Sequence, residues 1–425
     1  MVSWVALKRW SLLIILNLIA AIVYITVGYA SGLLIPVQTA HAGFFSVFSS
    51  NDSVQYHAVA DWIFGARDRP VAASAGRPFL YPLLLGLVER IGGLRGIWLL
   101  NVLFWFTMLN VAAAATYRFV KSQWASAIVF LVLATNASLI VLTFKGLTEI
   151  TTVALLAVWM FGLSHLTRQP TPSQVAWVLL PVALLVVVKP QFELLLAVVA
   201  VVLIVAFATS PARGLAVVVF VACLIPVAIQ LGSMVYFNGY FGLSNVGEST
   251  LRGYYLPRIE VAIGQSSTIT EGRLRIALLS NAEVARFVLN HFGDAVIVFV
   301  TSLKENLLAG SGFVQGHARL SAVIGATQAV YFVLQLVLVP LVAAALWLKR
   351  DGRLALLCVA IVNVFLAGGF TFNQGDRIMI IALPLWLVAF VVAFYEVGGV
   401  EVVRSRLLRF RPASTGEPQS ISSRR

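Results

Sequence analysis

One short run is equipped for chemistry. Ser50-Asn51-Asp52-Ser53-Val54-Gln55-Tyr56-His57 leads on to Asp61-Trp62. Ser50 and Asn51 are N-capping residue types, and Asp52, Tyr56 and Ala60 follow at i, i+4 and i+8 on one helix face. A carboxylate in the first turn is held ionised by the helix dipole. Asp52 is therefore a candidate proton acceptor, although a plain surface cap fits the local pattern as well. His57 and Asp61 are placed to line such a site, with a solvated histidine as the plainer alternative. Further charges gather where apolar runs end: Arg77, Lys145, Glu149, Lys189, Glu193, Asp376 and Arg377. Charge at a membrane boundary is costly, so its placement is informative. Arginine meets a phosphate with a two-pronged fork and lysine as a point charge. Lys189, Arg377, Lys145 and Arg77 are thus candidate phosphate ligands. Each has a structural alternative: Lys189 can snorkel, Arg377 can anchor at the interface, and Glu149 can simply complement a helix start. Arg252 and Arg258 stand among Gly and Tyr residues, a mixture that suits sugar and phosphate and also suits any interfacial loop. His165, His291 and His317 show no usable spacing.

The elements that would position these residues are membrane helices. Of 425 residues, 60% are apolar and 11% charged, against about 25% charged in soluble chains. Mean hydropathy is +0.94. A soluble protein, a disordered chain and a nucleic-acid-binding domain are all excluded, despite a net charge of +13. Cys223 and Cys358 both fall inside apolar runs, where they read as small core residues, and no Cys/His metal spacing occurs. A span needs about 20 apolar residues. The sequence predicts ten, at 10–36, 96–117, 124–144, 147–166, 172–188, 192–210, 214–237, 320–348, 354–372 and 378–395. The fold class expected is an all-α polytopic membrane protein whose outer loops, about 37–95 and 238–319, bear interfacial helices. Two of these are predicted at 79–88, with Tyr81 at headgroup level, and at 294–310. The first span resembles a signal peptide, with Ala40-His41-Ala42 as a cleavage motif. Its 27-residue apolar run exceeds the usual 7–15 residues, so an uncleaved anchor is expected. With the N-terminus inside, the inner face carries 15 basic and 4 acidic residues and the outer face 15 and 13. This predicts N-in, C-in, with the candidate residues on the outer side. Residues 396–425 form a basic cytoplasmic tail, expected to be disordered at its end. Asn136 opens a glycosylation sequon but falls within a predicted span, so it is discounted.

These residues, in this order, resemble a family. Asp-x3-Tyr-x3-Ala precedes Pro78-Phe79-Leu80-Tyr81-Pro82. Thr148-Glu149 opens an outer-side helix, Val188-Lys189-Pro190 separates two spans, and Arg377 precedes Pro384 in the last. The set is similar to the GT-C superfamily of membrane glycosyltransferases. The nearest branch comprises dolichyl-phosphate-mannose protein mannosyltransferases, lipid A aminoarabinose transferases and rhizobial lipopolysaccharide glycosyltransferases. The resemblance covers residues 1–395 in architecture. It implies transfer of a sugar from a polyprenyl-phosphate donor to a lipid, glycan or protein hydroxyl at the outer face of a bacterial plasma membrane. Inversion is implied, with Asp52 as base. Glu149 would be a second catalytic carboxylate, and Tyr56, His57, Asp61, Arg252 and Arg258 would lie toward acceptor or sugar. Many members carry two adjacent acids in the first loop. Here Ser53 follows Asp52, so a second carboxylate must come from elsewhere, with Asp61 and Glu149 as candidates. No cofactor and no metal is predicted, since a hard cation wants several oxygen ligands. Competing readings are a lipid-linked glycan ligase or polymerase, a flippase or transporter, and a non-catalytic scaffold.

Overall fold

The computed structural model describes residues 4–35, 49–66, 68, 76–208, 212–308, 318–371, 374 and 376–398. The Ala40-His41-Ala42 motif, His317, the tail from 399 onward and the side chain of Asp376 lie outside the described residues. Helix is the only regular structure among the described residues. The chain order is α1 (Trp4–Ala30), α2 (Asn51–Ile63), α3 (Leu80–Val120), α4 (Gln123–Ala134), α5 (Ala137–Leu142), α6 (Glu149–Ser164), α7 (Pro172–Val188), α8 (Glu193–Ala208), α9 (Arg213–Cys223) and α10 (Ile225–Asn238). It continues with α11 (Leu256–Ala262), α12 (Ile269–Ala277), α13 (Asn281–Asn290), α14 (Phe292–Leu308), α15 (Ala318–Lys349), α16 (Gly352–Phe370), α17 (Asp376–Met379) and α18 (Leu383–Glu396).

Each of the ten predicted apolar stretches is mostly helical where it is described, but among the described residues only seven helices are long and apolar enough to cross a membrane. They are 11–30, 80–120, 190–208, 213–238, 322–349, 352–370 and 377–396; α13 and α14, which meet at 87°, make an eighth if taken as one span. This is a multi-span membrane protein. The shortfall from ten lies in α4, α6 and α7, of 12, 16 and 17 residues. At 1.5 Å per residue even the longest of these rises about 25 Å, less than the ~30 Å hydrocarbon core. α4 stops early because Asn136, the sequon residue, caps a new helix by accepting a hydrogen bond from Leu139 N at 2.9 Å. α6 is apolar all round because other helices enclose it, whereas α7 buries one side and turns Trp177 and Leu180 outward. Trp159, Met160, Val182 and Leu185 are all fully buried. The pair packs so closely that a Cβ on Gly162 would strike the Trp177 carbonyl.

α3 joins two segments that the sequence separates. The interfacial helix predicted at 79–88 runs into the following span as one 41-residue element, broken at Gly93 with φ 59° and ψ −150°. Glycine tolerates that backbone conformation where other residues do not. Below the break, α3 presents a polar seam. The Trp98 indole donates to Tyr24 Oη at 2.8 Å, and Tyr24 Oη meets Thr143 Oγ1 at 2.6 Å. Asn101 Nδ2 donates to the carbonyls of Thr143 and Lys145 at 3.0 and 2.9 Å. Buried backbone carbonyls outside a helix need such partners. Asn101 thereby fixes the non-helical segment that delivers Glu149 to the start of α6. The segment expected as the second outer loop forms a small helical unit with a separate core of Tyr255, Leu256, Ile259, Ile276, Val284, Ala295 and Val298.

Candidate functional site

Five charged side chains from five separate stretches of chain meet at one end of the bundle. Local sequence explains each position. α2 begins with a capping box: Ser53 N donates to Ser50 Oγ at 3.1 Å, and Ser50 N donates back to Ser53 Oγ. That fixes Asp52 in the first turn and buries Tyr56 one turn later. Arg77 stands just ahead of Pro78 and α3. Glu149 is the first residue of α6. Lys189 ends α7 in an extended conformation, φ −148° and ψ 96°, because the following Pro190 disfavours helical backbone there. Arg377 lies in α17. A 3₁₀ turn at Ile380–Ala382 then leads into α18, with Pro384 in its first turn.

The five form one continuous network. Arg77 Nη2 donates to Asp52 Oδ1 at 2.6 Å, and Arg377 Nη2 reaches Asp52 Oδ2 at 2.7 Å. Arg377 Nε donates to Glu149 Oε1 at 2.7 Å, and Lys189 Nζ donates to the same oxygen at 3.1 Å. Arg377 thus bridges the two carboxylates. Gln55 Oε1 accepts from Arg77 Nε and Nη2 at 2.9 and 2.7 Å. The Arg77 guanidinium lies 5.1 Å from the Tyr56 ring centre, and its Nη1 donates weakly to the Tyr56 hydroxyl at 3.4 Å. Exposure is graded: the Glu149 side chain is 2% exposed, Arg377 11% and Asp52 27%. Asp52 is the most exposed of the five.

Burial works against ionising Asp52, but the guanidiniums of Arg377 and Arg77 outweigh it and hold the carboxyl below its usual range. Burial pushes the Tyr56 phenol up, so it stays neutral. Three cations face two carboxylates, a net charge of +1. The result is a largely buried cluster of three cations and two carboxylates, of which Asp52 is the most exposed.

The other candidate residues are engaged elsewhere. His57 lies about 100° round α2 from Tyr56. It is held between Asp61, at 3.4 Å, and Glu89 of α3, at 2.9 Å. Asp61 is thus a partner of His57, and the carboxylate that shares an arginine with Asp52 is Glu149. Lys145 is buried, which pushes its ammonium pKa down. Arg252 caps the end of α12, donating to the carbonyls of Ile276 and Leu279 and to Asn281 Oδ1 at 3.2, 2.8 and 2.6 Å. Arg258 grips Glu305 and Ser302 of α14. Both arginines hold the second outer loop together. Tyr81, expected among the headgroups, is 1% exposed and packs edge-on to Tyr56 at 5.1 Å. Gln55 has no chemistry that singles it out. Its i+3 spacing from Asp52 is the one signal that both could accept from a single arginine. Among the described residues no three His, Cys, Asp or Glu side chains meet in a way that could hold a metal ion. No protein-family model, curated protein or solved structure matches the chain.

Proposed function

We propose that this chain is a membrane glycosyltransferase that moves a sugar, with inversion, from a polyprenyl-phosphate donor to a hydroxyl acceptor at the outer face of a plasma membrane. The observation that supports this is the Arg77–Asp52–Arg377–Glu149–Lys189 network: phosphate-type cations around a carboxylate, at the end of a lipid-embedded bundle. A sugar-phosphate lipid is a phosphodiester with one negative charge, which offsets the +1 of the site. In the reaction the acceptor oxygen attacks the anomeric carbon. The bond from that carbon to phosphate breaks, its electron pair leaves with the lipid phosphate, and the acceptor proton passes to Asp52. The leaving phosphate is a weak base. It needs cations to stabilise its developing charge, not an acid to protonate it. Arg77, Arg377 and Lys189 fill that role, and Glu149 holds Arg377 and Lys189 in place. A ligase that worked through outer-loop arginines fits less well, because Arg252 and Arg258 are spent on structural contacts.

The test is complementation of a strain lacking the gene, with wild type or Asp52→Asn at equal membrane level. The lipids and envelope glycans are then compared by mass. Wild type is expected to restore a sugar increment that Asp52→Asn does not. Equal restoration removes Asp52 as the base.

A further inference from the structure

Two polar atoms beside the network have no partner. Glu149 Oε2 and the Tyr81 hydroxyl are both buried and make no hydrogen bond. Their side chains are 2% and 1% exposed. A buried polar atom without a partner costs free energy, so each such atom calls for an explanation. Both residues border the same network. Tyr81 packs on Tyr56, whose hydroxyl meets Arg77, and Tyr81 lies within electrostatic reach of Glu149 and Arg377. They do not bond each other. Nor can Glu149 readily turn to satisfy itself, because Oε1 is pinned by both Arg377 and Lys189. Oε2 can only accept a hydrogen bond, whereas a phenol can donate one or accept one. The group that satisfies both atoms at once must therefore donate to the carboxylate and accept from the phenol. A hydroxyl does both.

We infer that Tyr81 and Glu149 Oε2 clasp one ring hydroxyl of the sugar being transferred, making Tyr81 a sugar-binding residue that orients the donor. This rests on the glycosyltransferase reading above. The clasped hydroxyl donates its proton to Glu149 Oε2 and accepts from the Tyr81 hydroxyl. Because Glu149 also holds two of the phosphate-binding cations, one residue ties sugar orientation to phosphate position. A sugar deoxygenated or O-substituted at that carbon would leave both atoms unpaired and be rejected. The rival occupant is a structural water that stays in place throughout.

Tyr81→Phe separates the two, since it deletes one oxygen and keeps the ring. Protein reconstituted in phosphatidylethanolamine–phosphatidylglycerol vesicles, with the deletion strain's own envelope lipids and glycans at saturation as acceptor, is supplied with the polyprenyl-phosphosugar fraction extracted from that strain, in serial dilution. The initial rate of sugar transfer is read at each dose, and the thermal midpoint is measured in the same vesicles. If Tyr81 clasps the sugar, Tyr81→Phe needs about tenfold more donor fraction for half-maximal rate, the size of one neutral hydrogen bond. Its thermal midpoint stays level or rises, because an unpaired buried hydroxyl has been removed. An unchanged dose curve overturns the inference while leaving the glycosyltransferase reading intact. So does a fall of several degrees in the midpoint, which marks a structural water. If wild type itself transfers no sugar from this fraction, the glycosyltransferase reading fails and the clasp falls with it.

Discussion

Asp52→Asn should lower both kinetic constants, tightening donor binding while it slows turnover. In the resting site the Asp52 carboxylate occupies the Nη2 groups of both Arg77 and Arg377, at 2.6 and 2.7 Å. A donor phosphate must compete with it for those groups. Asparagine removes the charge, keeps the shape, and takes the five-residue site from +1 to +2. Two unit charges about 4 Å apart interact by roughly 4 kcal/mol at an effective dielectric of 20. Asp52 is 27% exposed, and solvent there screens most of this, so about 1 kcal/mol is left. Donor KM should therefore fall about fivefold. Loss of the base should at the same time lower kcat by about 10²–10⁴. The assay is steady-state transfer in vesicles with donor dose varied at saturating acceptor. A drop in kcat with a raised KM would mean that Asp52 binds the donor instead of taking the proton. An unchanged kcat would remove it from the chemistry altogether.

Three further outcomes follow from the same geometry. The rate should be flat from about pH 5 to 8 on account of Asp52 and fall only below its ordinary value of about 4. Its depressed pKa also means that the stability it contributes is complete above the unfolded-state value and is lost as pH falls through the folded one, which acid melts in vesicles would show. Gly162→Val should force α6 from α7, since even a Cβ collides with the Trp177 carbonyl; a cost of about 1–3 kcal/mol from overpacking and weaker transfer are expected, and an unchanged melting temperature would contradict the packing. Arg252→Ala should loosen the second outer loop by unpairing the Ile276 and Leu279 carbonyls, raising amide exchange over 269–290 while donor KM holds; a raised donor KM with unchanged exchange would return Arg252 to the binding site.

The residues that meet at the site were legible because each marks a break in an apolar pattern. Asp52 follows a capping serine, Lys189 precedes a proline, and Glu149 and Arg377 begin helices. What the pattern could not supply was partnership. Arg252 and Arg258 look as well suited to phosphate as Arg77 does, yet backbone carbonyls and Glu305 claim them. Nor could hydropathy tell lipid from protein as the surroundings of a helix, because lipid tails and leucine side chains are equally apolar. That is why α6 reads as an ordinary span although it is a short helix enclosed by others. Tyr81 was misplaced for the same reason. A tyrosine ahead of an apolar run suits a headgroup layer, and only the packing of α2 on α3 buries it.

The serine after Asp52 has a physical explanation in this site. Ser53 is fully buried and its hydroxyl closes the capping box on Ser50. An acid at 53 could close the same box, as Glu283 does on Ser280, but it would put a charge where Ser53 is fully buried. It would also add a third carboxylate to three cations and leave the site neutral. Here the second carboxylate comes instead from α6, through an arginine that reaches both acids. The consequence is mechanical as well as electrostatic. Arg377 in α17 ties α2 to α6, and Lys189 at the end of α7 ties into the same oxygen of Glu149. A phosphate entering this network cannot bind one cation in isolation. On the proposed reading it must redistribute bonds that hold these segments together, which would make donor binding and the freeing of Asp52 parts of a single rearrangement.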